Sequence, residues 1–172
     1  MSVPRWALFA SAVAVLLQSG CAEQPTLPRA THVQLSVTAS PGSGSPALPV
    51  VVDARAENVW ITRVWHCTGC GCGNGFGFSV LGPDGAAVWL SDPKGPWPLC
   101  PDGFTPLDPG TEIGDRLVFT GTLYDVYSPV TPTPTYPAPA GLYTVVVRFK
   151  YSTGGSEPHT QLERTTTFTW QP

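Results

Sequence analysis

The sequence predicts an all-β fold, an antiparallel β-sandwich of about seven to eight strands. Gly and Pro account for 18 and 20 of the 172 residues, which excludes long helices and favours short strands joined by turns. Between these breakers, apolar and β-branched residues alternate with polar ones at the period of two that half-buried strands show. Four cysteines in the middle of the chain complete the pattern, because they predict that disulfide bonds staple the sandwich.

Residues 1–20 are predicted to be a signal peptide and no part of the fold. Arg5 precedes an apolar run from Trp6 to Leu17, and small residues lead to Cys21. This is the order of a basic region, an apolar region and a cleavage site, and the run is shorter than the ~20 apolar residues of a membrane-spanning helix. Residues 17–21 (Leu-Gln-Ser-Gly-Cys) resemble a bacterial lipobox, although Gln18 departs from that motif. We therefore expect lipid on Cys21. Ordinary cleavage near Cys21 is the alternative.

Three segments follow from this prediction: a signal peptide (1–20), a lipidated tether (21–31) and the sandwich domain (32–172). The tether holds two prolines and shows no periodicity, as expected of a linker. Removal of the signal peptide leaves 152 residues (172 minus 20), the length of one domain with a real core. We expect an exported protein of the cell envelope, anchored by its N-terminal lipid on the periplasmic or cell-surface face of a membrane.

Alternating or β-branched runs predict the strands of the domain. In chain order these are 33–39, 49–52, 59–65, 76–81, 86–90, 116–124, 142–151 and 162–170. Turns are expected at 55–58, at 82–85, where Asp-Gly marks a hairpin tip, and at 107–110. The proline-dense stretch 93–109 is expected to be irregular. The tryptophans on predicted strands are expected in the core: Trp60, Trp65, Trp89 and Trp170.

The mid-chain cysteines are Cys67, Cys70, Cys72 and Cys100. Thiols oxidise outside the cytosol, so an even set of four predicts two disulfides, with the choice among three pairings left open. A bridge from the 67–72 cluster to Cys100 closes a loop of roughly 30 residues, worth about 3–4 kcal/mol in the chain-entropy model. The alternatives are a four-thiolate site for zinc, cuprous copper or an iron–sulfur cluster, with His66 adjacent, and a redox pair of Cys67 with Cys70.

Three combinations of turn and strand occur in an order that resembles a known family. They are Gly82-Pro83-Asp84-Gly85 between two strands, Leu107-Asp108-Pro109-Gly110-Thr111-Glu112 before an aromatic-containing strand, and Pro139-Ala140-Gly141-Leu142-Tyr143-Thr144-Val145 before a long one. From about residue 50 to about residue 150, this order is similar to the immunoglobulin-like domain of the intracellular proteinase inhibitor family called BsuPI. The resemblance implies an immunoglobulin-like sandwich in which the hydroxyl of Tyr143 forms a tyrosine corner. It also implies protease inhibition, although no inhibitory residue maps onto this chain.

Charge and motifs narrow the functional classes. Without Arg5, eight cations stand against twelve carboxylates, a net charge near −4 (8 − 12), so no nucleic-acid partner is expected. His32, His66 and His159 are scattered, and neither a Gly-x-Ser-x-Gly motif nor a helical histidine pair occurs. We predict that the protein is not an enzyme and needs no cofactor.

Two segments are predicted to bind an unidentified protein partner. Trp97 lies in a proline-flanked loop, where a rigid aromatic side chain gives contact area at small entropic cost. Pro132, Pro134 and Tyr136 belong to a segment prone to polyproline II, a conformation that docks into aromatic grooves. The other interpretations are packing of Trp97 over the disulfide loop and a solvated crossover for the proline segment. The sequence therefore predicts a membrane-anchored binding or structural lipoprotein, with an inhibitor of extracytoplasmic proteases and a thiolate metal-binding protein as alternatives.

Overall fold

A computed structural model describes residues 31–68, 73–91, 103–154 and 160–172. In these ranges the chain is all-β, as predicted, with twelve strands and one 3-10 turn at Gly73–Gly75. The strands are β1 Val33–Ser40, β2 Ser43–Gly44, β3 Val50–Asn58, β4 Val64–Thr68, β5 Phe76–Leu81, β6 Ala87–Val88, β7 Gly103–Leu107, β8 Glu112–Phe119, β9 Thr122–Tyr124, β10 Thr135–Pro137, β11 Gly141–Ser152 and β12 Thr160–Trp170. Eight of them have five or more residues, and the other four are too short to give a periodic signal.

The strands form two main sheets. The smaller sheet has three strands in the order β1-β3-β8. The larger sheet runs β2-β12-β11-β4-β7, and β5 also pairs with β11 and carries β6. Strands β9 and β10 form a separate pair. The pairs in the described ranges are antiparallel except for β2 with β12, which is parallel.

An aromatic cluster joins the two sheets. Phe119 of β8 packs against three rings of the larger sheet, on β11 and β12. The centroid distances are 4.9 Å to Tyr143, 4.9 Å to Phe168 and 5.0 Å to Trp170. All four rings are buried, and aromatic pairs at such distances contribute about 0.5–1.5 kcal/mol each beyond the burial of their area. The fold is therefore β-sandwich-like, with one core between two sheets.

The turn predicted at 55–58 is wrong, because β3 continues through these residues and the chain bends at 59–63 instead. Ala56 and Asn58 point into the core and are completely buried, whereas Arg55 and Glu57 point to solvent. The period of two therefore persists through the polar stretch, since the outer face of an antiparallel sheet accepts charged side chains.

The prediction that the four tryptophans of predicted strands lie in the core is only partly right. Trp170 is 1% exposed, and Trp65 is half-buried. Trp60 and Trp89 are 37% and 46% exposed, because Trp60 lies in the bend at 59–63 and Trp89 follows the two-residue β6. Neither of these two side chains lies on a strand in the structure.

The prediction that the 93–109 stretch is irregular is wrong for residues 103–107, whose proline does not exclude a strand. Gly103–Leu107 forms β7, in which Pro106 stands opposite Trp65 of β4. Strand β7 is an edge strand in the described part of the sheet. Edge strands tolerate a residue without an N–H donor.

The two other predicted turns are confirmed. In the hairpin between β5 and β6, Gly85 N donates to the Gly82 carbonyl at 2.9 Å, and Asp84 Oδ1 accepts a hydrogen bond from Ala86 N at 2.9 Å. In the turn at 107–110, the Asp108 carbonyl accepts from Thr111 N at 3.1 Å. Both turns contain a glycine with positive φ, Gly85 at 80° and Gly110 at 71°, as their sequences indicate.

Candidate functional site

The cysteine cluster begins at the end of strand β4. Cys67 is buried and stands opposite Phe104 in the β4–β7 ladder, and the next pair is Thr68 with Gly103. The chain therefore leaves β4 and enters β7 at adjacent positions. The other predicted sulfur sites, the loop tryptophan and the lipidation site lie outside the described residues: Cys70, Cys72, Cys100, Trp97 and Cys21.

His66, which neighbours the cluster, has a structural environment. Its Nδ1 lies 3.1 Å from the carbonyl oxygen of Asn74, and because a carbonyl only accepts, Nδ1 carries the proton. Burial lowers the pKa of His66, so the ring is neutral at pH 7. It also packs on Phe149 with 6.1 Å between centroids. The imidazole thus fixes the chain as it returns through Asn74, which has a left-handed φ of 52°.

Neither a metal site nor a membrane span is found in the part of the chain that the structure describes. There, no three or more His, Cys, Asp or Glu side chains come together in a group suited to a metal ion. The same ranges contain no helix with the length and apolarity of a membrane span.

Tyr143 fixes the loop that precedes β11, the penultimate strand. Its hydroxyl donates a hydrogen bond of 2.9 Å to the carbonyl of Pro139, four residues upstream. Burial, together with the nearby Tyr136 and Asp84, raises the pKa of Tyr143 to about 12. The hydroxyl therefore stays protonated and donates this bond across the physiological pH range.

The proline segment is exposed while its backbone is fixed. Pro132 and Pro134 are exposed, and Tyr136 is 44% exposed. The Pro134 carbonyl accepts a hydrogen bond from Asp125 N at 2.9 Å, and Thr135–Pro137 pairs with β9. The structure thus places these three exposed side chains on one backbone segment, part of which pairs with β9.

Asn58 organises a loop that the sequence pattern assigned to a strand. Its Nδ2 donates to the carbonyls of Thr62 and Leu107, each at 2.9 Å, and its Oδ1 accepts from Trp60 N at 3.0 Å. Since Asn58 is completely buried, these bonds fix the loop 59–63 from inside. A polar residue at an inward position of an otherwise alternating strand is the signal that indicates such a loop closure.

A charged cavity of about 470 Å³ lies on the outer face of the three-stranded sheet. Four of its five charged side chains form ion pairs across β3 and β8: Arg55 with Glu112, and Arg116 with Asp53, both at 2.9 Å. The fifth, Asp115, accepts a hydrogen bond from Arg116 N at 2.7 Å. The side chains of the two ion pairs are one-third or more exposed, so each pair contributes under about 1 kcal/mol.

A smaller cleft of about 220 Å³ is apolar and lies beside the β5–β6 hairpin. Phe78, Val88, Trp89 and Leu117 are among its lining residues. Leu117 comes from β8 of the smaller sheet, so the cleft opens where the two sheets separate. Its lining suits an apolar group better than a charged one.

Comparison with known proteins assigns the chain to no family. No family model matches the chain, and no curated protein matches it. Among solved structures it is similar to ApaA from Bordetella pertussis, at 10% identity and a TM-score of 0.43 over 79% of this chain and 91% of that one. It is also similar to a β-glucosidase from Listeria innocua, at 10% identity and a TM-score of 0.41 over 80% of this chain and 16% of that one. A third similar structure is β-glucosidase 3B from Thermotoga neapolitana, at 12% identity and a TM-score of 0.31 over 81% of this chain and 17% of that one. The chain thus spans less than one fifth of either β-glucosidase, and no function carries over at these identities.

Proposed function

We propose that the protein is an exported lipoprotein, held at a membrane through Cys21, whose immunoglobulin-like domain binds a protein partner through exposed loops. The observation that carries the binding role is the segment with Pro132, Pro134 and Tyr136. These side chains are exposed on a backbone that pairs with β9. A surface that is already ordered loses little conformational entropy on binding.

The immunoglobulin-like assignment is supported by the Tyr143 hydrogen bond. It joins the hydroxyl to a carbonyl four residues upstream at 2.9 Å, next to the penultimate strand, which is the position of a tyrosine corner. The packing of two sheets around Phe119 is a second support.

The proposal includes a disulfide staple in place of a metal site. It is supported by the even number of four mid-chain cysteines, because thiols oxidise outside the cytosol. It is also supported by sequence distance, because Cys70 follows Thr68 by two residues and Cys100 precedes Gly103 by three, and Thr68 and Gly103 are paired. Crosslinked sulfurs leave no thiolate for a metal or for nucleophilic chemistry.

The binding role is tested by crosslinking and affinity capture from envelope extract with the mature lipoprotein as bait. We expect Tyr136→Ala to lower recovery of the specific partner at least about tenfold, since an aromatic anchor contributes more than about 1.4 kcal/mol. Tyr127→Ala is the matched control, because Tyr127 is 95% exposed and lies outside β10. Equal recovery with wild type and Tyr136→Ala would remove the proline segment from the proposal.

A further inference from the structure

Three consecutive apolar residues form the tip of the loop between β3 and β4. Val59, Trp60 and Ile61 are 47%, 37% and 85% exposed. The next residue, Thr62, is uncharged, and the first charge after it, Arg63, is paired with Asp108 at 2.6 Å. The tip, called here the 59–61 tip, is therefore an apolar projection without a charged side chain of its own.

The 59–61 tip is held in place and does not collapse onto the core. Asn58 Oδ1 accepts the hydrogen bond of Trp60 N, and Asn58 Nδ2 holds the Thr62 carbonyl on the other side of the tip. Val59 N donates to the carbonyl of His32 at 3.0 Å. Adjacent exposed apolar side chains on a fixed backbone are a feature of surfaces that contact proteins or membranes.

The same contacts place the tip beside the point at which the tether joins the domain. The ring of His32 lies 4.7 Å from the ring of Trp60, edge to face, and 6.3 Å from that of Tyr151 at the end of β11. His32 is the first residue after the tether and lies eleven positions after Cys21 (32 − 21). The tip therefore lies at the end of the domain to which the tether is joined.

We propose that the 59–61 tip docks into the interfacial layer of the membrane to which Cys21 is anchored. This inference rests on the lipid anchor of the proposed function and adds a second, noncovalent contact to it. Trp is enriched at membrane interfaces because its ring is apolar and its N–H is polar, and Ile61 adds an aliphatic side chain beside it. Two membrane contacts fix the orientation of the domain, so the opposite end faces away from the bilayer.

The test is depth-dependent fluorescence quenching with the mature lipoprotein reconstituted in phosphatidylcholine vesicles that contain brominated lipid. The difference between wild type and Trp60→Phe isolates the emission of Trp60 from that of the other tryptophans. We expect this component to be quenched by lipid bromines near the headgroups and shielded from aqueous iodide. We also expect Ile61→Asp to shift the ratio of docked to undocked domains at least about tenfold towards undocked, because burial of an apolar side chain of this size favours docking by more than that factor.

Leu142→Asp is the matched control, since Leu142 is 57% exposed and lies nine residues before Tyr151 on β11 (151 − 142), about 30 Å along the strand. It should leave the quenching unchanged. A Trp60 component without lipid quenching in anchored protein would overturn the inference and leave the anchor intact. Cosedimentation with the vesicles reports the anchor separately, and its absence in wild type would overturn both.

Discussion

Removal of the Asn58 side chain tests most directly how the loop 59–63 is held in place. Asn58→Ala deletes three hydrogen bonds, two to carbonyls at 2.9 Å and one from a backbone N–H at 3.0 Å. The bond to the Leu107 carbonyl is buried, and those to Thr62 and Trp60 are partly buried. Water is therefore able to replace some of the lost partners but not all of them.

The expected loss in the free energy of unfolding follows from how deeply each of these bonds is buried. A buried acceptor left without a partner costs about 1–3 kcal/mol, and each partly buried bond contributes about 0.5–1.5 kcal/mol. We expect Asn58→Ala to lower the free energy of unfolding by about 2–6 kcal/mol. That is a large share of the about 5–15 kcal/mol of a typical domain, and the loop 59–63 should lose its fixed position as well.

The assay is equilibrium urea unfolding of the oxidised mature protein, with tryptophan emission as the signal. A lower midpoint at unchanged slope reports lost stability alone. Asp84→Ala is the control, since it also removes a side-chain bond to a backbone N–H, at 2.9 Å, but at an exposed turn. It should cost less than about 1 kcal/mol. If Asn58→Ala costs no more than Asp84→Ala, the buried amide does not hold the loop and the argument fails.

Three further predictions concern the core, the β11 loop and the pH dependence. Gly121→Ala should lower the free energy of unfolding by about 2–5 kcal/mol, because Gly121 has φ +81° and a Cβ there would overlap the Trp170 ring; a urea midpoint equal to that of wild type would contradict this packing. Tyr143→Phe should cost about 0.5–1.5 kcal/mol through the lost bond to Pro139, measured in the same way, and no loss would mean that the bond contributes nothing. His66 has a lowered pKa, so the unfolded chain binds its proton more readily and stability should fall as the pH drops below about 6.5. His66→Asn should weaken that fall between pH 7.5 and 5.5, and an unchanged pH profile would exclude His66 as its source.

Local chemistry decided which parts of the fold the sequence could predict. The hairpin at 82–85 was predictable because its own residues close it, with Asp84 bonded to a neighbour two positions away. The strand alternation in β3 and β11 was visible because each strand has one buried and one outer face. These features can be predicted from residues that are close together in the sequence.

The loop 59–63 and strand β7 depended on contacts that are distant in sequence. Asn58 donates a hydrogen bond to the Leu107 carbonyl, 49 residues away. The end of β3 is therefore fixed by the turn at 107–110, which the residues next to Asn58 do not indicate. Pro106 is tolerated in β7 because that strand lies at an edge of the sheet within the described ranges, and edge position is a property of the sheet. The apolar run at 59–65 therefore gave a strand prediction that is right for residues 64–65, which begin β4, and wrong for residues 59–63, which form a loop with an exposed tip.

The most direct test of the account is the intact mass of the mature protein, isolated from membranes and treated with an alkylating reagent without reduction. We predict a chain that starts at Cys21 and carries lipid mass there, lighter by about 4 Da for two disulfides, with no alkyl group added. A chain that keeps its leader or lacks lipid would contradict the membrane anchor, and four alkylated cysteines would contradict the staple.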